Sequence, residues 1–484
     1  MAVLLEEIWL PLSDQSKTIR IGINTFLNLK IMSENFNRRD FLRAAAAGGI
    51  GLALSPSEMF SKTMGARPLK KSKNEISVGI IGVGNRGRWL MKLAANMPNT
   101  KITAICDINP KAITLAQQVL AEDGHKPAEV YTGSETAYRD LLERKDIDAV
   151  IIAATWDWHV PMAVDAMEAK KYVGLEVPAA MTIEDCWKLV ETYEKTGTNI
   201  MFLENCCYDR ECMAVLNMLR DGLLGTPMHA TCGYRHSAYG SQKWLGPINT
   251  ETKAEHFFKY CVLRNADQYP THGIGPVAYW FDINCGNRML YLTSVATKSA
   301  VINEYVREKG GPNHPNANFP FKQGDLISTT IKTVKGETIV MTYDNYLPRP
   351  YSRDYSLQGT KGIWDGLYRS RGIYIEGVSP KKDQWEKGED YDKYMQKYDS
   401  RIWVEESANA KKGGGHGGID YLTVKEFLRC AKEDAYPPID IYDAAAWSCI
   451  IELSEKSIAN GSTPEYFPDF TRGKWETRKP TFGF

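Results

Sequence analysis

Six residues, Gly82-Val83-Gly84-Asn85-Arg86-Gly87, constrain this chain more than any other segment. They follow an apolar run, Ile76 to Val83, and precede a helix-prone stretch, Arg88 to Asn96. A strand that must turn at once into a helix, with glycines spaced G-x-G-x-x-G, is a dinucleotide-binding turn. Gly82 permits the tight bend, Gly84 lets a pyrophosphate approach the backbone, and Gly87 lets helix and strand pack closely. The first N–H groups of the helix have no partner within it and favour an anion, which places Asn85 and Arg86 beside the phosphates. A second strand, Lys101 to Cys106, ends at Asp107, about 20 residues beyond Gly87. An acid there accepts hydrogen bonds from the adenosine ribose and repels a 2′-phosphate, so the expected cofactor is NAD rather than NADP.

The β–α alternation continues through strands at Ala149 to Ala154, Lys171 to Leu175 and Asn199 to Leu203. It predicts a Rossmann domain over residues 75–205, with ligands beyond the carboxyl ends of the strands. Those ends carry Trp156, Asp157, Trp158 and His159, then Glu176 and Val177, then Asn205. Each is a candidate cofactor contact, with turn or capping chemistry as the alternative. From Met228 the pattern changes to longer alternating strands: Met228 to Tyr234, Tyr291 to Lys298, Leu326 to Val334, Glu337 to Asn345 and Tyr355 to Gly359. This predicts an α+β domain over 206–484 with a largely antiparallel sheet and a C-terminal helix from Ile439 to Asn460. Two of its loops carry candidate chemistry, Tyr269-Pro270-Thr271-His272-Gly273 and the segment ending in Tyr351. For His272 the alternative is a cap on the helix that follows. A glycine-rich loop, Lys411 to Ile419, holds His416, which reads equally well as an ordinary loop residue.

Composition narrows the function classes. A chain of 484 residues, 43% hydrophobic and 24% charged, is globular and long enough for two large domains. Lys+Arg and Asp+Glu both number 59, and this zero net charge argues against binding nucleic acid by bulk charge. The 10 cysteines form no C-x-x-C pair and no zinc-finger spacing with histidine, so free buried thiols and no metal centre are expected. Near the N-terminus, Arg38-Arg39 precedes a weakly apolar run of about eleven residues, Ala44 to Leu54. That is the layout of a twin-arginine (Tat) export signal and is too short for a membrane span of about 20 residues. Residues 32–74 are read as signal and linker, and 1–31 as an upstream extension. The expectations are handling by the Tat export machinery, a periplasmic location, no stable membrane insertion, a small-molecule or glycan substrate, and compatibility with a homo-oligomer.

Several of these segments resemble a known family. The glycine loop, the His after the strand that ends near residue 154, and a Glu-x-Pro strand end are similar to the Gfo/Idh/MocA superfamily of NAD(P)-dependent enzymes. Within it, seven motifs resemble glycoside hydrolase family 109. They are Gly-Asn-Arg-Gly-Arg (84–88), Trp-Asp-Trp-His (156–159), Glu-Val-Pro (176–178), Glu-Asn-Cys-Cys-Tyr (204–208), Gly-Tyr-Arg-His (233–236), Tyr-Pro-Thr-His-Gly (269–273) and Pro-Arg-Pro-Tyr-Ser-Arg (348–353). The founding activity of that family is an NAD-dependent α-N-acetylgalactosaminidase. The resemblance implies substrate contacts from Tyr234, Tyr269, Pro270, Thr271, His272 and Tyr351, with His272, Tyr269 and Tyr351 catalytic and Tyr269 also touching the cofactor. Two departures stand out. Val177 occupies the place of the Lys of superfamily dehydrogenases, as the hydrolase family would have it. Where that family carries a substrate-contacting Arg, this chain reads Glu255-His256-Phe257-Phe258-Lys259, with Lys259 or Arg264 as candidate replacements.

Direct glycoside hydrolysis uses two carboxylates about 5–9.5 Å apart, and no sequence cue marks such a pair. The resemblance implies another course: hydride removal from C3 of the sugar, loss of the acidified C2 proton, elimination of the aglycone, addition of water and return of the hydride. His272 suits proton transfer by the ordinary imidazole pKa of about 6.5. An NAD-dependent sugar dehydrogenase and a non-enzymatic sugar-binding module are the alternatives.

Overall fold

A computed structural model describes residues 74–237 and 256–483. The twin-arginine segment and Glu255 lie outside the described residues.

The first sheet is built from β1 (Ile76–Ile81), β2 (Thr100–Cys106), β3 (Glu129–Tyr131), β4 (Ala149–Ile152), β5 (Tyr172–Leu175) and β6 (Ile200–Phe202). Its order is β3-β2-β1-β4-β5-β6, and every pairing is parallel. Parallel strands are covered by helices on both faces, so they read as continuous apolar runs. Accordingly β4 and β5 are buried at every residue. The chain order reverses between β1 and β4, which opens a crevice at the carboxyl end of the sheet. The expected strands hold to within two residues at each end. The short edge strand β3 was not anticipated, because three exposed or half-buried residues carry no apolar pattern.

The second sheet comprises β7 (Pro227–Arg235), β8 (Met289–Ala296), β9 (Leu326–Thr333), β10 (Thr338–Asp344), β11 (Ser356–Gly359), β12 (Gly362–Asp365), β13 (Gly372–Ile375) and β14 (Glu465–Tyr466). Its order is β13-β12-β11-β7-β10-β9-β8-β14. All pairings are antiparallel except β7 with β10. The structure is therefore a parallel Rossmann sheet joined to a largely antiparallel α+β half, as the residue pattern implied.

One helix expectation is corrected. The run from Ile439 to Asn460 is two helices, Ile441–Ser448 and Ile450–Ala459, meeting at Cys449. Asp440 caps the first through bonds from the Tyr442 and Asp443 N–H groups. All 10 cysteines are free thiols. Among the described residues no helix is long and apolar enough to cross a membrane.

Candidate active site

Each glycine of the turn has a separate job. Gly82 has φ +85°, and a Cβ there would lie 2.7 Å from the backbone of Ala153. A Cβ on Gly87 would lie 1.8 Å from the Gly82 carbonyl oxygen. Gly84 differs, because a Cβ there would meet nothing within 4 Å. The helix Asn85–Ala95 starts at Gly84 with no side-chain cap and no acid in its first turn. The open face at Gly84, beside uncapped N–H groups, fits a pyrophosphate. Asp107 completes the cradle: Oδ2 accepts from Val83 N at 2.8 Å and Oδ1 from Asn109 N at 2.9 Å. Those bonds fix the carboxylate at the cleft wall. The chain's own residues therefore fit a dinucleotide.

A cleft of about 780 Å³ runs from this turn into the second half of the molecule. On the turn's side it is lined by Gly82, Gly84, Asn85, Arg86 and Asp107, and further along by Trp156, Trp158, His159, Glu176, Val177 and Asn205. Tyr234, Tyr269, His272 and His416 close it from the second half. Two expected cofactor contacts are absent from this lining. Gly87 packs under the turn, and the Asp157 carboxylate is bound by Lys259 Nζ at 2.6 Å and Tyr260 Oη at 2.7 Å.

His272 reaches the cleft through close backbone packing. It sits in the first turn of the helix Thr271–Trp280, which lies against β7. A Cβ on Gly273 would come within 2.9 Å of Gly233 N, so only glycine allows this approach. Gly273 thus serves helix packing rather than leaving room for a substrate. The helix begins at Pro270 with no side-chain cap, which removes the capping alternative for His272.

The partner of His272 is Glu204, at the end of β6. His272 Nδ1 lies 2.7 Å from Glu204 Oε1, and the same oxygen accepts from Cys206 N at 3.0 Å. Tyr355 Oη donates to the His272 carbonyl. Burial opposes a charge on His272, but the Cys206 sulfur and the Glu204 carboxylate raise its pKa to about 10. Burial likewise opposes the Glu204 charge, and His272 wins, holding that carboxyl below its usual range. The sequence argument from an ordinary imidazole is therefore corrected: His272 is protonated at neutral pH. Sequence reasoning missed the role of Glu204, since a Glu at a strand end reads as a local cap. It is that too, capping the turn Asn205–Tyr208.

Aromatic rings surround the pair. Tyr269 packs 4.8 Å from His272 at 89° and 4.7 Å from Tyr234. Trp156 stacks on Tyr260 at 5.1 Å. Tyr351 approaches Tyr234 at 6.0 Å, its loop being tied to β7 by Arg235 and Ser352. Burial raises the pKa values of Tyr234, Tyr269 and Tyr351, so all three are neutral hydroxyls. Pro270, Thr271 and Tyr351 are not part of the cleft lining; Thr271 is fully buried.

The candidate replacements for the missing Arg are both occupied elsewhere. Lys259 pairs with Asp157, and Arg264 binds Glu455 and the Met181 carbonyl. His159 is held by carbonyls, Pro178 O at 2.7 Å and Ala154 O at 3.1 Å. Glu176 accepts from Arg86 Nε at 2.7 Å and from Val177 N at 3.2 Å. Among the described residues one trio has metal-ligand character, Glu204, Cys206 and His272, and two of its members are already hydrogen-bonded to each other.

This fold and cleft define an enzyme built on the Gfo/Idh/MocA dinucleotide-binding plan. Residues 76–203 match the oxidoreductase family with an NAD-binding Rossmann fold, and residues 208–477 match the family described as glycosyl hydrolase 109, C-terminal domain. An alpha-N-acetylgalactosaminidase of Tannerella forsythia is 41% identical over 472 residues, covering 92% of this chain and 99% of that protein. A glycosyl hydrolase family 109 protein of Parabacteroides distasonis is 40% identical, covering 92% and 99%. The chain belongs to glycoside hydrolase family 109 and is a glycoside hydrolase. Its fold is shared with a levoglucosan dehydrogenase in complex with NADH and levoglucosan (TM-score 0.60, 17% identity, covering 81% of this chain and 100% of that one). It is also shared with a scyllo-inositol dehydrogenase from Lactobacillus casei (TM-score 0.57, 14% identity, covering 81% and 99%).

Proposed function

We propose that the protein hydrolyses N-acetylgalactosaminide-type glycosides with a retained NAD. The observation that carries this reading is a single cleft lined both by the Gly82–Gly84 turn and by Tyr234, Tyr269 and His272. NAD, when bound, supplies reversible hydride exchange at C3 of the sugar and leaves the cycle unchanged. Gly84, the first helical N–H groups, Arg86 and Asp107 hold the dinucleotide. Val177 brings no ammonium to the place where superfamily dehydrogenases carry one. Asp107 and Glu176, two carboxylates of the cleft, are tied to Val83 N and Arg86, which disfavours a paired-carboxylate hydrolysis.

With its pKa raised above the ordinary imidazole value, His272 is suited to protonate the departing aglycone oxygen, and its neutral imidazole then accepts a proton from the water that adds. With Nδ1 tied to Glu204, Nε2 is the nitrogen available to the substrate. Glu204 acts through His272 and is a positioning residue. The neutral hydroxyl of Tyr269 donates a hydrogen bond to a sugar oxygen. The test is release of an aryl leaving group from a panel of α- and β-linked glycosides without added NAD. Release from α-N-acetylgalactosaminides with no net NADH supports the reading. Stoichiometric NADH accumulation without aglycone release would make the protein a sugar dehydrogenase.

We further propose export by the twin-arginine route, supported by Arg38-Arg39 and the run Ala44 to Leu54. Replacing both arginines by lysine is expected to leave the protein in the cytoplasmic fraction.

A further inference from the structure

Asp420 is the most heavily used carboxylate at the cleft, and neither the glycine motif nor the proton-transfer pair accounts for it. It begins the helix Ile419–Glu433 with its side chain fully buried. Oδ1 accepts from Asn205 Nδ2 at 2.6 Å and lies 2.9 Å from Arg86 Nη1. Oδ2 accepts from Trp89 Nε1 at 3.0 Å and lies 2.8 Å from His416 Nδ1. An ionised carboxylate has about four acceptor positions, and these four partners use them all. The partners come from three places: the helix after the glycine turn, the end of β6, and the glycine-rich strap before Asp420.

Each of those places meets the dinucleotide cleft. Arg86, Asn205 and His416 line it. Trp89 does not, but it forms the seat of the strap. Gly414 and Gly415 have φ of +69° and +65°, and a Cβ on Gly415 would lie 2.6 Å from the Trp89 indole. The strap therefore lies flat on the helix whose N-terminus faces the phosphate position. Arg86 would keep Glu176 if Asp420 were neutralised, but Asn205, Trp89 and His416 would lose their shared acceptor. Nothing in simple helix packing calls for a buried charge here, since burial of an ionised group is costly unless it is fully paired.

We propose that Asp420 is the latch by which the C-terminal half holds the cofactor cleft closed, a positioning residue that sets how long NAD stays bound. This rests on the reading of a retained NAD given above. The experiment uses the full chain carrying Asp420→Asn, with Trp89→Phe as a milder second variant that removes one donor and keeps a ring under the strap. NAD per protein is measured after repeated desalting and denaturation, and NAD loss is followed over time. The parent is expected to keep near-stoichiometric NAD. Asp420→Asn is expected to lose it roughly 10–100-fold faster, the scale of losing bonds to a charged group. Added NAD should restore its turnover saturably with the substrate KM unchanged, a rescue that a folding defect would not show. Trp89→Phe should shift retention in the same direction by less. Parental retention in Asp420→Asn would overturn the latch. If that variant does not fold, parental retention in Trp89→Phe overturns it. A parent that emerges without NAD would overturn the retained-cofactor reading, and the latch with it.

Discussion

Two histidines of one cleft end in opposite states. His159, after β4, is 1% exposed and faces two backbone carbonyls. Burial dominates there and holds its pKa below the ordinary value. His272 is partly exposed, and it faces the Cys206 sulfur and the Glu204 carboxylate, which raise its pKa to about 10. Carbonyl dipoles hold a ring in place without offsetting the desolvation of a charge. A formal negative charge at hydrogen-bond distance does offset it. One site thus yields a neutral strut and the other a stored proton.

The two histidines couple to pH with opposite signs. The folded pKa of His272 lies above the unfolded value of about 6.5. Its contribution to stability is complete below that value and is lost as the pH rises through about 10. The folded pKa of His159 lies below the unfolded value. Its contribution is present above about 6.5 and is lost as the pH falls below it.

The comparison breaks most easily at His272. His272→Ala is expected to lower turnover roughly 10²–10⁴-fold, the usual contribution of a proton-transfer group. NAD should still be retained, which denaturing release would check. Turnover within about threefold of the parent would return His272 to a packing role and make Tyr269 the leading candidate. Glu204→Gln sharpens the contrast by leaving shape and removing charge. It should lower turnover roughly 10–100-fold. It should also move the alkaline limb of the pH–rate profile from near 10 towards neutrality. An unmoved limb would separate Glu204 from the His272 proton.

Asp107→Ala probes the cofactor end of the same cleft. Loss of a hydrogen bond to a charged group predicts NAD binding weaker by roughly 1.5–3 kcal/mol, read by titration. His159→Gln is the smallest change. It should cost about 1–3 kcal/mol in denaturant unfolding, because a buried carbonyl loses its donor, with turnover near the parent. Its loss of stability on acidification below about pH 6.5 should also be weaker than that of the parent. A large turnover defect with no stability loss would reverse the roles assigned to the two rings.

The cofactor turn was readable because its chemistry is local. Gly82, Gly84 and Gly87 answer to backbone torsions and contacts within a few residues, and Asp107 follows from one strand and one helix of spacing. The helix break at Cys449 and the strand β3 were not readable, because neither carries a change of apolar period. The likeness of the motif segments to family 109 supplied Tyr269, His272 and Tyr351 as candidate site residues, of which Tyr269 and His272 line the cleft. It did not supply the pairing that charges His272.

Sequence by itself determined the α/β organisation, the dinucleotide turn and the neighbourhood of the site. Tertiary structure decided which groups meet there. Glu204 and His272 are 68 residues apart, and Asp420 and Asn205 are 215 apart. Tertiary structure also decided that Lys259 pairs with Asp157 and Arg264 with Glu455. The physical reason is one of range. Torsions and periodicity act over a few residues and leave a pattern in the chain. A buried charge takes its protonation state from whatever the fold places within about 3 Å of it, and linear spacing carries no record of that.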